Sequence, residues 1–105
     1  MSRFVKASPD ITISEAESWT WTRAVDTLFF DPAFVQKLGA LQAIDLRRKL
    51  RGLTTGTVVE LTEDEWTALR DCARVPVALG PGFVYAAGAE EFFRAILDAP
   101  VKSPE

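Results

Sequence analysis

Two tryptophans separated by a single residue constrain this chain more than any other feature of its sequence. Trp19 and Trp21 lie in the segment ESWTWTRAVDTLFF, residues 17–30, which holds four of the eleven aromatic residues. Ser14 is followed three residues later by Glu17, a capping-box pattern that predicts a helix from Ser14 to about Phe30. Residues two positions apart on an α-helix point about 200° away from each other. On such a helix the two tryptophans cannot share one buried face.

The helical prediction divides the aromatic residues of this segment between two faces. The buried face is expected to hold Trp21, Val25, Leu28 and Phe29. Trp19 and Phe30 fall on the opposite side, about three turns apart, and Arg23 is the one basic residue near them. Exposed apolar patches commonly mark protein interfaces, and tryptophan is enriched in binding hot spots. Trp19, Phe30 and Arg23 are therefore the candidate partner-binding residues, unless other segments of the chain cover this face.

An extended segment is the alternative to this helix. Residues 18–22, SWTWT, alternate polar and apolar side chains, and Trp and Thr are good strand formers. If these residues were extended, both tryptophans would share one face. A helix that begins only at Thr22 would leave both of them in the segment that leads into the helix.

The length of 105 residues predicts one domain, which can bury a core without disulfides or metals. Residues 1–100 are expected to form that domain, and residues 101–105 are expected to fray because they are terminal and polar. At the N-terminus, residues 3–13 indicate a small β-hairpin around the turn residues Ser8, Pro9 and Asp10.

The rest of the chain is dominated by helix signals. Asp31 and Pro32 predict the start of a second helix that runs to Gly52, with Gly39 as a weak point within it. Val58 to Leu61 are strand-like. Thr62 and Glu65 form a second capping-box pattern, which predicts a helix from there to about Arg74.

Residues 81–98 allow two interpretations. One is a single helix from Pro81, and the other is a strand FVYAA followed by a helix from Ala89. In both, Pro100 ends the last helix. The expected fold class is helix-rich α+β, a single compact domain with three to four helices and a minor N-terminal β-hairpin.

The composition excludes most catalytic chemistry. The chain has no histidine and only one cysteine, Cys72, which leaves no His-based triad and no cysteine metal cluster. The adjacent carboxylates lie near helix starts, where capping explains them. The glycines around Pro81 lack the spacing of a nucleotide-binding loop. We expect no catalytic residue, no metal and no cofactor, and a small ligand in an apolar pocket near Tyr85 is the third-ranked interpretation.

A basic cluster provides the nucleic-acid alternative. Arg47, Arg48 and Arg51 lie in the last turns of the predicted second helix, where cations favourably oppose the helix dipole. They could instead form the face of a small DNA-associated regulator. Residues 1–53 carry a net charge of +2 and residues 54–105 carry −5, which is a poor distribution for nonspecific nucleic-acid binding and suits a protein partner or self-association. With no signal-peptide or membrane-helix pattern, we expect a cytoplasmic protein.

The order of the predicted elements from Leu28 to Ala99 resembles that of small proteins encoded in tailed bacteriophages and prophages. The phrases that carry the resemblance are AVDTLFF, AIDLRRKLRG, TVVELTEDEWTALR and EEFFRAILDAP. The resemblance implies a morphogenesis accessory, an assembly chaperone or an inhibitor that acts through protein contacts, and a virion-associated location if the gene is a phage gene. It assigns no site residue. The expected function is a non-enzymatic protein–protein interaction module whose partner is another protein or a second copy.

Overall fold

The computed structural model describes residues 2–102, so most of the predicted C-terminal tail lies outside the described residues. Its strands are β1 (Arg3–Lys6), β2 (Ile11–Ser14), β3 (Glu17–Trp19) and β4 (Val58–Leu61). Its helices are α1 (Trp21–Leu28), α2 (Ala33–Leu38), α3 (Ala40–Arg51), α4 (Glu63–Arg74) and α5 (Ala89–Leu97), with two 3₁₀ turns at Val77–Leu79 and Phe83–Tyr85. The predicted helix-rich α+β class, with a minor N-terminal hairpin, is confirmed.

The hairpin lies further along the chain than residues 3–13. β2 pairs antiparallel with β3, while β1 pairs antiparallel with β4, with Val5 opposite Val59. The turn residues Ser8, Pro9 and Asp10 therefore connect two different sheets. Burial explains why β1 pairs with β4 and not with β2, because this pairing places Val5 and Leu61 in the core at 0% exposure. Turn chemistry near Pro9 does not provide that burial.

The predicted helix start at Ser14 is wrong, and α1 begins at Trp21. The Ser14 hydroxyl accepts the backbone N–H of Ala16 at 3.3 Å, within the turn that joins β2 to β3. Ser14 and Glu17 are cross-strand partners in that hairpin. Thr20 is the true N-cap, and its side-chain oxygen accepts the backbone N–H of Arg23 at 3.2 Å. Hence the extended alternative is correct for β3, but the two tryptophans still occupy different environments.

Trp21 links the start of α1 to the end of α3. Its indole N–H donates to the Leu50 carbonyl at 2.8 Å, and the hydroxyl of Thr22 donates to the Arg51 carbonyl at 2.9 Å. The last carbonyls of a helix have no partner within that helix. Two side chains of α1 therefore satisfy two carbonyls that the end of α3 leaves free.

Glycines mark two further helix boundaries. Gly39 has a φ of 82° and separates α2 from α3, so the single helix predicted to run to Gly52 is broken at its weak point. Gly88 has a φ of 89° and precedes α5, which rules out one helix from Pro81. Helix α5 begins at Ala89 as the second interpretation predicts, but the strand FVYAA is replaced by a 3₁₀ turn and a single bridge between Thr12 and Ala87.

The core draws on each of the helices α1 to α5 and on β1, β2 and β4. Its largest fully buried side chains are Phe34, Phe92, Ile11, Leu28, Leu46, Leu50, Leu61, Leu69, Ile96, Val5 and Val25.

The capping box of α4 is present in full. The Thr62 hydroxyl accepts the backbone N–H of Glu65 at 3.2 Å, and the Glu65 carboxylate accepts the backbone N–H of Thr62 at 2.9 Å. Burial acts to raise the pKa of Glu65, but the hydrogen bond from the Thr62 backbone and the Lys49 ammonium outweigh it, so the pKa lies below its ordinary value. Because the folded-state pKa is lowered, this stabilisation is present at neutral pH and is lost as the pH falls through that pKa.

Replacing Thr62 with alanine should lower the free energy of unfolding by about 1 kcal/mol, because the N–H of Glu65 loses its acceptor. Urea denaturation of Thr62→Ala beside wild type measures the loss, with Thr62→Ser as the control that keeps a hydroxyl. An unchanged midpoint for Thr62→Ala would mean that the cap does not stabilise α4.

Candidate protein-binding groove

The longest uncharged stretch of the chain, residues 75–89, lies between Arg74 and Glu90. Several of its large apolar side chains face solvent. Their exposed fractions are 68% for Val75, 76% for Val77, 39% for Val84 and 89% for Tyr85. Exposed apolar groups concentrated in one segment are typical of interaction surfaces.

Part of this stretch forms one wall of a groove, and the β2–β3 hairpin forms the other. The groove has a volume of about 430 Å³. It is lined by Ile13, Trp19, Leu79, Gly82, Phe83, Tyr85 and Ala86. The lining residues carry no formal charge, so the groove offers an apolar floor with a tyrosine at its edge.

Trp19 is half-buried in this groove, and its ring is held from two sides. The ring centroid lies 5.5 Å from that of Phe83. The guanidinium of Arg23 lies 4.3 Å from the centroid, a cation–π distance. Glu17 holds Arg23 in place through an ion pair of 3.5 Å. The charge of Arg23, beside the groove, is therefore already paired within the chain.

The indole N–H of Trp19 differs from those of the other two tryptophans. Trp21 donates to the Leu50 carbonyl, and Trp66 donates to the Ile96 carbonyl at 2.9 Å. The Trp19 nitrogen is shielded from solvent and has no acceptor among residues 2–102. A shielded donor without an acceptor costs roughly 1–3 kcal/mol, so Trp19 sits in an energetically unfavourable position.

The floor of the groove is anchored in the core through Phe83, which is only 5% exposed. Its ring makes edge contacts with Phe92 and Phe93, each at a centroid distance of 5.8 Å. Phe92 in turn contacts Trp21 at 5.2 Å. A continuous chain of aromatic contacts thus runs from the core to the groove.

The predicted partner-binding residues are only partly brought together. Trp19 and Arg23 are in contact, as described above. Phe30 is 79% exposed but follows the far end of α1, a helix of eight residues that is about 12 Å long, and it does not line the groove. The predicted opposite face of one long helix does not exist, because α1 starts only at Trp21.

Sequence reasoning missed the contribution of Ile13, Leu79 and Phe83 to this site. It placed Tyr85 beside a possible apolar pocket, and the structure does place Tyr85 on the groove edge. The signal that was available is the absence of charge over residues 75–89.

The basic cluster on α3 is largely neutralised within the chain. Asp26 pairs with both Arg47 at 3.1 Å and Arg51 at 3.0 Å. Lys49 pairs with Glu65 at 2.9 Å. Among the described residues Arg48 alone of this cluster has no ion-pair partner. The two ion pairs with Asp26 join α3 to α1. They agree with a structural role for these cations at the end of α3.

A DNA titration should accordingly detect only nonspecific binding. Fluorescence anisotropy with a labelled duplex at physiological salt should give a dissociation constant in the micromolar range or weaker, because the ion pairs with Asp26 and Glu65 reduce the positive charge that this face offers to phosphates. Submicromolar binding that weakens steeply with added salt, and that is lost in Arg48→Ala, would instead support a DNA-associated regulator.

The structure identifies no activated nucleophile at Cys72. Burial and the nearby carboxylate of Asp31 raise the pKa of the thiol to about 12, so it is protonated at neutral pH. Within residues 2–102 no three residues of the metal-binding types are grouped to hold an ion. The helices described here are all too short or too polar to cross a membrane.

Compared with known protein families, curated proteins and solved structures, the chain gives no match, and its function is therefore argued from the groove itself.

Proposed function

We propose that this protein is a non-enzymatic interaction module that binds an apolar segment of another protein in the groove between the β2–β3 hairpin and the 3₁₀ turn at Phe83–Tyr85. The observation that carries the proposal is the exposure of Tyr85, which is 89% exposed beside a half-buried Trp19 and a buried Phe83. Tryptophan and tyrosine are both enriched in binding hot spots.

The shape of the groove favours a protein segment over a small molecule. Small-molecule sites usually enclose most of the ligand surface, whereas this groove has an exposed tyrosine at its edge, and exposed valines precede that tyrosine along the chain. An extended peptide can use such a surface because its side chains enter the groove while its backbone remains outside.

The chemistry of the lining predicts the character of the bound segment. With no charged group in the lining and with Arg23 already paired to Glu17, an uncharged apolar or aromatic side chain fits best. A backbone carbonyl of the partner is the natural acceptor for the Trp19 indole N–H, which has none within the described chain. A small shift of the ring on binding would expose this donor and remove the cost of leaving it unsatisfied.

An assembly accessory or chaperone of a tailed phage or prophage is the setting we propose for this activity. The order of helix and strand signals from Leu28 to Ala99 supports it, and so does a groove suited to the apolar segments that unassembled subunits expose. In this setting the module acts in the cytoplasm of the host cell or on the virion.

The test is a peptide selection followed by a matched pair of variants. A displayed library of random 12-residue peptides is selected on immobilised protein, and an enriched peptide is then titrated calorimetrically. Tyr85→Ala should weaken its binding about 10-fold, or about 1.4 kcal/mol. Phe30→Ala removes another exposed aromatic side chain, at the far end of α1, and should change the affinity less than about twofold.

Two outcomes would contradict the proposal. One is a selection that enriches no apolar peptide. The other is an enriched peptide whose affinity depends on Phe30 and not on Tyr85. Both variants should unfold at the wild-type temperature, since both side chains are exposed, and this shows that any loss of binding is local.

A further inference from the structure

The sheet formed by β1 and β4 has an open edge along β4. On the other edge, the backbone N–H of Phe4 in β1 donates to the Pro100 carbonyl at 2.9 Å, so β1 lies between β4 and the segment that follows α5. β4 has only β1 as a neighbour in this two-stranded sheet. Its far side is therefore the free edge of the sheet.

The hydrogen-bond pattern determines which backbone groups lie along that edge. In an antiparallel pair, opposite residues alternate between hydrogen-bonded and non-hydrogen-bonded pairs. Because Phe4 donates away from β4, Phe4 and Glu60 form a non-hydrogen-bonded pair. Lys6 and Val58, two positions along the strands, form the next one. The backbone N–H and C=O groups of Val58 and Glu60 consequently point away from β1.

These four backbone groups have no partner among residues 2–102. Glu60 is exposed and Val58 is half-buried, so the edge is accessible. Unpaired groups at strand spacing fit one kind of partner, which is another extended backbone. Natural edge strands are often protected by lysine or proline, and the sequence of β4, VVEL, contains neither.

The side chains of β4 define the character of the strand that fits beside it. Val59 is half-buried and packs against the core. Val58 and Glu60 lie on the opposite face of the strand, where Phe4 is half-buried across from Glu60. Within the part of the chain that the structure describes, the Glu60 carboxylate has no hydrogen bond or ion pair. An added strand therefore meets apolar surface at two positions and an unpaired carboxylate at the third.

We propose that the β4 edge binds an extended segment of another protein as an added antiparallel strand, in which a basic residue is followed by two apolar residues. In this direction the basic residue lies opposite Glu60, and the apolar residues lie opposite Val59 and Val58. The first and third residues each exchange two backbone hydrogen bonds with β4, four in all. The cation pairs with the Glu60 carboxylate across the strands, and the apolar side chains cover the two valines.

A capped peptide of sequence Thr-Thr-Lys-Val-Val-Thr-Thr, titrated into isotope-labelled protein and followed by NMR, is the probe. We expect a dissociation constant on the order of 1 mM, because backbone hydrogen bonds contribute only modestly in water. The amides of Val58 and Glu60 should shift most. Their hydrogen exchange should slow about 10-fold when about 90% of the protein is bound. The Val59 amide, which faces β1, is the internal control for exchange.

N-methylated peptides test the hydrogen-bond pattern without altering the protein. Methylation of the lysine backbone nitrogen removes the donor to the Glu60 carbonyl and should weaken binding at least about 10-fold. Methylation of the first valine nitrogen, which faces away from β4, should change the affinity less than about threefold.

Charge reversal at an exposed position tests the choice of a basic residue. Glu60→Lys should weaken binding of the lysine peptide about fivefold, because like charges then lie opposite each other. A peptide with glutamate in place of lysine should bind Glu60→Lys about as well as the lysine peptide binds wild type.

Three results would overturn the proposal. One is the absence of shifts at Val58 and Glu60 at a peptide concentration of about 10 mM. Another is equal binding of the two N-methylated peptides. The third is a set of shifts centred on the Trp19 indole, which would assign the peptide to the groove. The β4 edge is distinguishable from that groove, because neither Val58 nor Glu60 lines it.

Discussion

Replacing Trp21 with alanine is expected to lower the free energy of unfolding by about 3–5 kcal/mol, a large part of the stability of a domain of this size. The side chain is only 3% exposed and packs against Phe92 at a centroid distance of 5.2 Å. Its removal leaves a cavity, and it also leaves the Leu50 carbonyl at the end of α3 without the donor that now lies at 2.8 Å. Both effects act in the same direction.

A second substitution at the same position separates the cavity from the hydrogen bond. Trp21→Phe keeps most of the ring volume but removes the indole N–H, and should cost about 1–3 kcal/mol. Urea denaturation followed by circular dichroism measures both variants. If Trp21→Ala lost less than about 1 kcal/mol, Trp21 would not be the core residue that joins α1 to α3.

Replacing Trp19 with alanine should affect binding more than stability. The ring is half-buried rather than enclosed, and its indole N–H contributes no hydrogen bond within the described chain. The expected loss of stability is about 1–2 kcal/mol, less than half of that at Trp21. The expected loss of affinity for a groove-binding peptide is about 2 kcal/mol or more, which is roughly 30-fold.

Trp19→Phe is the matched control for this prediction. It keeps an aromatic ring beside Phe83 and Arg23 and removes the donor that lacks an acceptor, so its stability should equal or exceed that of wild type. Equal destabilisation by Trp19→Ala and Trp21→Ala would mean that both tryptophans are core residues. The groove would then have no separate binding role.

Local signals in the sequence predicted the fold well where one residue pattern has one structural meaning. Thr62 and Glu65 form the capping box that their spacing indicates, and Gly39 interrupts the helix at the position where its conformational freedom predicted a weak point. The same reasoning failed at Ser14 and Glu17, because these residues can also face each other across a hairpin turn, as they do here.

Contacts between segments that are distant in the sequence could not be predicted from local sequence patterns. The pairing of β1 with β4 joins Val5 to Val59, more than fifty positions along the chain. No turn motif encodes such a pairing. It is decided by which apolar side chains can be buried together, and that depends on the whole fold.

The candidate site was predictable only where its residues are close together in the sequence. Trp19 and Arg23 are close in sequence and were identified together. Their partner Phe83 is sixty-four positions away from Trp19 and reaches it only because α5 and the 3₁₀ turns fold back against the hairpin. Phe30 was grouped with Trp19 on the assumption of one continuous helix, and that assumption failed once Thr20 proved to be the N-cap.

The most direct test of the proposed groove is an NMR map of backbone amide and indole N–H shifts on addition of a selected peptide. The three indole signals distinguish the tryptophans, since Trp21 and Trp66 donate to backbone carbonyls and Trp19 does not. We expect the largest changes at the Trp19 indole and at the amides of residues 79, 80 and 82–87, with little change on α3. Maximal shifts around Phe30 or at residues 41–51, with the Trp19 indole unmoved, would contradict the proposal that this protein binds its partner through the groove.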